Sequence, residues 1–507
     1  MTQTILIRSD FFERSGAGHL KRCSILAYAL QKLNFLPVIV LDKQLNFIPI
    51  DIEFPIEYLN IEFEEESDAR ALVKLANKYK TKTIIADSFR ITESWISILH
   101  SAGMLVVVID DLGIGSDTSL RIDYSPAAIR LEGRAVQLLG PSYFITDSPV
   151  LRPRHSVPKK MILHAGGTGN FSAAKEVYAK SIEIANDRDL SLTWLCPNET
   201  ASNWVQNSGL LENNHAILDW QRGRTNLWSN YDIVVGPAST SLYEAIMQGC
   251  LGVSFPISQT QSSSRENWAP IGHTLHLTSS EVENPEIASA ILSLTVDHFD
   301  KLRAALDEFA ASIDGNGAQK IASIIVAMIN GKTPEISIPP MESDIIRPCD
   351  IRDACNFLGA RNMPHVRALS TNPKHIISWP EHLRWWLESD TERFVLISNG
   401  KAEAFFWHRP RTVNGRDYLV GGWFPSGDQP AFAAGIRVID WQLAHCAKNF
   451  PKHTWLATIN KQNSAVLALN RRYGFVNADA ASLEAVNVLF PGTTDDFTIL
   501  QRRARIV

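Results

Sequence analysis

Over the first 330 residues, short apolar runs rich in β-branched side chains alternate with amphipathic stretches. The runs are TILIR (4–8), FLPVIVL (35–41), KTIIAD (82–87), MLVVVID (104–110), MILHAGG (161–167), LTWLC (192–196), AILDW (216–220), DIVVG (232–236) and LGVSFP (251–256). Between them lie segments such as 21–33 and 172–187, whose apolar residues recur at helical spacing. Strands that are apolar throughout, alternating with helices, predict parallel sheets covered on both faces. The strands are too many for one small sheet, and a break rich in proline and polar residues at 138–160 divides them. The pattern predicts an α/β fold of two Rossmann-like lobes, residues 1–150 and 151–330, with a ligand crevice between them.

The pattern then changes. Residues 331–346 carry three prolines, two of them adjacent, and predict an extended linker. From 347 to 507 the reading is an α+β domain. A hairpin turns at Asn399-Gly400. Strand 417–424, helix 432–449, strand 454–459, helix 463–475 and strand 497–503 follow.

A chain of 507 residues with 45% hydrophobic and 20% charged residues fits a soluble protein of two to four domains. The net charge of −5 offers no broad basic field and excludes nucleic acid as an expected partner. The six cysteines, Cys23, Cys196, Cys250, Cys349, Cys355 and Cys446, form no CxxC pair and no zinc-ligand spacing, so no metal is expected. No apolar run approaches the roughly 20 residues that span a bilayer. The first residues lack a signal-peptide core. The expectation is a cytoplasmic protein with no membrane partner.

The candidate chemistry begins at SGAGHLKRC (15–23). Leu20, Cys23, Ala27 and Leu30 share one helical face toward the sheet. His19 lies in the first turn, where the helix dipole favours a ring able to accept a proton. Arg22 lies one turn on, and Gly16 and Gly18 allow a sharp turn and a close ligand. A base, a cation and free helix N–H groups suit chemistry on an anionic substrate. The same residues also fit a plain glycine turn with a surface histidine.

In the second lobe, Ser239 and Thr240 open a helix and Glu244 follows about one turn later. The first two suit phosphate oxygens and the third ribose hydroxyls; equally, they form a helix cap and a solvated carboxylate. A glycine loop after a strand, with Gly166, Gly167 and Gly169, offers a second approach to a diphosphate. Asp10, Asp87 and Asp110 end strands on the crevice side, and Asp111 follows.

On these motifs the chain resembles the UDP-sugar hydrolases of the pseudaminic acid pathway. The first strand end, the glycines, His19, Arg22 and Cys23 carry the match. IIADSF, VIDDLG, LLGPSYF, ILHAGGTGN and GPASTSLYEAIMQG follow in that family's order over about residues 4–280. The resemblance implies a two-lobed fold of the GT-B type, with UDP held by the second lobe. It also implies hydrolysis of UDP-2,4-diacetamido-2,4,6-trideoxy-β-L-altropyranose to UDP and free sugar. His19 would activate water, and Asp10 would bind or orient near the sugar. The family's Asn-Gln pair corresponds here to Thr260-Gln261, which leaves Gln261 as a sugar ligand.

Residues 345–505 resemble GNAT acetyltransferases, especially that pathway's N-acetyltransferase. Ser378, His382, Trp385, Asn463, Ser464, Gly474 and Phe475 carry the match. The resemblance implies acetyl-CoA as co-substrate and acetylation of a 4-amino UDP-sugar. Gln429 and Ala434 align with the pyrophosphate loop, but Phe432 replaces its central glycine. Asn470 stands where the family has its tyrosine acid. Two alternatives stand beside this bifunctional reading. One is a GT-B glycosyltransferase with a degenerate acyltransferase-like domain, and the other is a non-catalytic sugar-binding protein.

Overall fold

The structure is a computed structural model that describes residues 3–11, 18–43, 52–110, 112–148, 150, 156–219, 226–257, 264–332, 334, 345–428, 432–491, 493 and 495–504. The chain forms two compact units, Met1–Ser337 and Ile338–Val507.

The first unit contains two parallel sheets. One is built from β1 (Gln3–Ser9), β2 (Phe35–Leu41), β3 (Ile56–Tyr58), β4 (Thr83–Asp87), β5 (Leu105–Ile109), β6 (Leu120–Asp123) and β7 (Val136–Leu139), in the order β3-β2-β1-β4-β5-β6-β7. The other has β8 (Lys160–His164), β9 (Ser191–Cys196), β10 (Ala216–Asp219), β11 (Ile233–Pro237) and β12 (Leu251–Phe255), in the order β10-β9-β8-β11-β12. Every pairing in both is parallel. The nine apolar runs read from the sequence are β1, β2, β4, β5 and β8–β12.

One face of the first sheet buries Leu6, Val38, Val40, Ile84, Val106 and Val108 against Leu72, Trp95 and Leu99. Central parallel strands covered on both sides are mostly apolar, hence the near-continuous apolar runs; the buried Arg8 of β1 is paired with Asp68 at 2.8 Å. The short strands β3, β6 and β7 have no such run. β6 reads Leu-Arg-Ile-Asp, and its Arg121 is buried by pairing with Asp110 and Asp123 at 2.7 Å each.

Two boundaries differ from the sequence reading. The helix Gly317–Ile329 packs against Gly18–Lys32 of the first lobe, not on the second. Its first residue also sits close to the turn after β7: a Cβ on Gly317 would lie 2.2 Å from the Phe144 carbonyl oxygen. Its apolar face had no address in sequence, because periodicity shows that a face is buried and not against what. The expected linker also ends early. Residues 345–348 form β13 (Ile345–Pro348), paired antiparallel with a later strand.

The second unit has one mixed sheet of β13, β14 (Glu392–Ser398), β15 (Lys401–Val413), β16 (Arg416–Pro425), β17 (Thr454–Asn460), β18 (Val476–Asn477) and β19 (Phe497–Arg503). Its order is β13-β14-β15-β16-β17-β19-β18. Asn399 and Gly400 both take positive φ, 52° and 71°, and close the β14–β15 hairpin. All pairs are antiparallel except β16 with β17. Among the described residues no helix is long and apolar enough to cross a membrane.

Candidate functional site

In a parallel sheet, ligands bind beyond the carboxyl ends of the strands, where the strand order reverses. In the first sheet that point lies between β1 and β4, and in the second between β8 and β11. The loop before His19 follows β1, and Asp87 ends β4. The Gly166 turn follows β8, and Ser239 follows β11. The motifs of the first unit thus converge on two switch points.

His19 sits in the first turn of Gly18–Lys32 and is 5% exposed. Its Nδ1 lies 2.6 Å from Asp87 Oδ1. Arg22, one turn on, donates to the same carboxylate from Nε (2.5 Å to Oδ2) and Nη2 (2.7 Å to Oδ1). Its Nη1 donates to the Tyr124 hydroxyl. Phe89 meets the His19 ring edge-on at 4.4 Å.

Burial pushes the Asp87 carboxyl up, but the Arg22 and His19 partners outweigh burial and hold it at about 2. An ionised carboxylate accepts only, so His19 Nδ1 carries a proton toward Asp87, and in the neutral ring Nε2 is the accepting nitrogen. Arg22, read from the sequence as a cation near an anion or a support of the fold, bonds Asp87 and Tyr124 here. Asp87 is the residue that sequence reasoning undervalued. Its position at a strand end was visible, but its partners, 65 and 68 residues away, were not.

Asp10 is 1% exposed and accepts from Phe89 N (3.1 Å) and from Arg90, which also bonds Asp42 at 2.7 Å. Asp10 therefore braces the loop after β4. Asp110 accepts from four successive backbone N–H groups, Leu112 to Gly115, at 2.7–3.1 Å, and from Arg121, which makes it a turn former. A Cβ on Gly18 would meet nothing within 4 Å, so open space lies beside it. Gly16, Asp111 and Gln261 lie outside the described residues.

In the second sheet, Ser239 precedes the helix Thr240–Met247 with extended backbone, and its side chain makes no capping bond. Ser239 and Thr240 are half-exposed. Glu244 is 5% exposed, and its Oε1 accepts from Lys21 Nζ at 2.6 Å. Lys21 lies on the His19 helix, so this ion pair ties the two lobes together. Phe144 stacks on Tyr243 at 4.7 Å beside it. Burial lowers the Lys21 pKa, but Glu244 and then Asp147 outweigh it and raise the value.

Gly166 has φ +66° and donates its N–H to His164 Nδ1 at 3.2 Å; Gly167 next to it is exposed. Burial pushes the His164 ring down to about 4, so it is neutral and accepts this bond. A Cβ on Gly236 would lie 2.2 Å from that ring. Replacing Gly236 with alanine is expected to destabilise the first unit by about 1–3 kcal/mol through this overlap, read from thermal unfolding.

In the second unit, β16 and β17 pair only over Tyr418–Val420 with Thr454–Leu456. Beyond those residues the ladder between them stops, although both strands continue. Asn463 caps the helix Ser464–Arg472 by accepting from Val466 N at 3.3 Å. Asn470 donates to Val466 O at 2.9 Å and is 7% exposed. Tyr473 donates to Asp440 at 2.6 Å on the helix Phe432–Asn449. Ala434 is fully buried in that helix, and Gln429 lies outside the described residues. A Cβ on Gly435 would lie 2.5 Å from the Trp423 ring, so this glycine serves helix–sheet packing. Burial pushes His382 down to about 3, and its Nε2 donates to Ala354 O at 3.1 Å.

No protein-family model and no curated protein matches the chain. Among solved structures, MurG from Acinetobacter baumannii aligns with 64% of this chain and 100% of its own, with a TM-score of 0.51 and 12% identity. The spinosyn rhamnosyltransferase SpnG aligns over 65% of this chain and 100% of its own, with a TM-score of 0.48 and 13% identity. The likeness to MurG shows the fold: two parallel Rossmann-like sheets in the GT-B arrangement.

Proposed function

We propose that the first unit cleaves a UDP-linked diamino sugar at its anomeric carbon, with water as the acceptor. The observation that carries this reading is the pairing of His19 Nδ1 with an ionised Asp87. It leaves Nε2 to take a proton from water as the oxygen attacks, while UDP departs with the electron pair of the broken C–O bond. A diphosphate is a good leaving group, so one positioned base and an anion site suffice. Ser239, Thr240 and the N–H groups of their helix supply the anion site. Glu244 keeps Oε2 to accept ribose hydroxyls while Lys21 fixes Oε1. The sequence resemblance supports UDP-2,4-diacetamido-2,4,6-trideoxy-β-L-altropyranose as the substrate.

The decisive experiment follows that compound by NMR in the presence of the full chain. Free sugar and UDP in water alone support hydrolysis. Turnover only when a hydroxyl acceptor is added makes the protein a glycosyltransferase on the same fold. Binding without turnover in either case leaves a sugar-binding protein. Replacing Glu244 with glutamine is expected to weaken UDP binding roughly tenfold by calorimetry, the value of one charge-assisted hydrogen bond.

For the second unit we propose acetyl transfer from acetyl-CoA to the 4-amino group of the precursor sugar. The unpaired stretch between β16 and β17 supports this, because free backbone groups there can pair with an extended acyl-pantetheine chain. Asn470 is committed to its own helix and carries no acidic proton, and Tyr473 is held by Asp440. Neither protonates the leaving thiolate in this arrangement, so the proton that the attacking amine loses reaches the thiolate through water. Acetylation of the 4-amino sugar by the full chain, followed by mass spectrometry, tests this separately from hydrolysis.

A further inference from the structure

We infer that the second unit carries a binding site for a divalent transition metal of the zinc class, formed by Glu392, His408 and His445. Glu392 and His408 face each other across the β14–β15 ladder. His445 comes from the helix Phe432–Asn449 that packs on that sheet. Both imidazoles aim Nε2 at one carboxylate oxygen: His408 at 2.9 Å and His445 at 3.3 Å from Glu392 Oε2. Among the described residues, this trio of donor atoms lies within 4.8 Å of one another.

The three donor atoms turn toward one point. Asn449 Nδ2 lies 3.1 Å from His445 Nε2, and an ion bound there would take the lone pair that otherwise accepts from Asn449. Tetrahedral zinc with bonds of about 2.0–2.1 Å sets its ligand atoms about 3.3 Å apart, close to the spacing here.

The surroundings fit as well. The His408 side chain has no exposed surface and stacks on Phe394 at 5.4 Å. His445 stacks on Trp441 at 4.5 Å. Both rings are thereby fixed before any ion arrives. The Gln442 side-chain nitrogen donates to Trp407 O at 3.0 Å and lies 3.4 Å from His408 Nδ1, so it packs against the outer side of the ring. The side chains of Glu392 and His445 are 42% and 26% exposed, which gives the ion an entry path and a fourth position for water. Two imidazoles and one carboxylate select zinc, cobalt or nickel over calcium or magnesium. The ligands are 16, 37 and 53 residues apart in the sequence.

Untagged full-length protein, stripped with a chelator and titrated with Co2+, tests the site. We expect the visible bands of a four-coordinate cobalt centre, saturating at one ion per chain and abolished by Zn2+. E392Q and H445Q should each weaken Co2+ binding by about 100-fold or more with the circular dichroism spectrum unchanged. His408 is in the core and is left intact. Absence of a saturable cobalt spectrum in folded protein overturns the proposal. So does undiminished binding in both variants, which would put the ion elsewhere.

Discussion

Replacing His19 with alanine is expected to lower kcat for hydrolysis of the UDP-sugar by about 10^3-fold, within the range of a lost general base. UDP affinity should stay within about twofold, because the nucleotide contacts proposed here come from the second sheet. The fold should hold. His19 lies at the end of its helix, and the Asp87 carboxylate keeps both Arg22 hydrogen bonds without it. A variant that folds, binds UDP and hydrolyses at the wild-type rate would remove His19 as the base. Glutamine at the same position should be no more active, since an amide cannot take the proton.

Replacing Asp87 with asparagine should have a second large effect, on activity and stability together. The amide no longer fixes the His19 tautomer, so kcat should fall by about 10^3-fold, comparable with loss of the base itself. It also leaves the Arg22 guanidinium buried without its counter-charge. Breaking a buried pair this way costs about 3–5 kcal/mol. The pH dependence separates the two roles. Asp87 ionises near pH 2 in the folded chain, below the 3.8 usual for aspartate. A carboxylate with a depressed pKa adds stability that is complete above about pH 4 and disappears as pH falls toward 2. That part amounts to about 2 kcal/mol. The stability gap between wild type and D87N, measured by denaturant unfolding, should shrink as pH falls from 4 toward 2. A gap that does not change with pH would mean that the carboxylate's charge is not what stabilises this corner.

Much of the fold was legible because it rests on local patterning. The helix Phe432–Asn449 and the Asn399-Gly400 turn needed only periodicity and a left-handed dipeptide. The short strands β3, β6 and β7 escaped, since three or four residues carry no period. For the candidate site, the sequence pointed to His19, Ser239 and Glu244, which lie in or just before the helices that follow β1 and β11. It missed what pairs with each. Nothing in the sequence singles out Lys21, yet it is the partner of Glu244, 223 residues away.

The sequence by itself determined the alternation of strand and helix, the two sheets of the first unit, the change of style near residue 347 and the residue types at each strand end. These are decided by which side chains avoid water, a property each residue carries alone. Only the tertiary structure decided that Asp87 joins His19 and Arg22, that Lys21 crosses to Glu244, and that Glu392, His408 and His445 meet. Such charged and donor groups act through distances of about 3 Å, and only the folding of remote segments onto one another sets those distances.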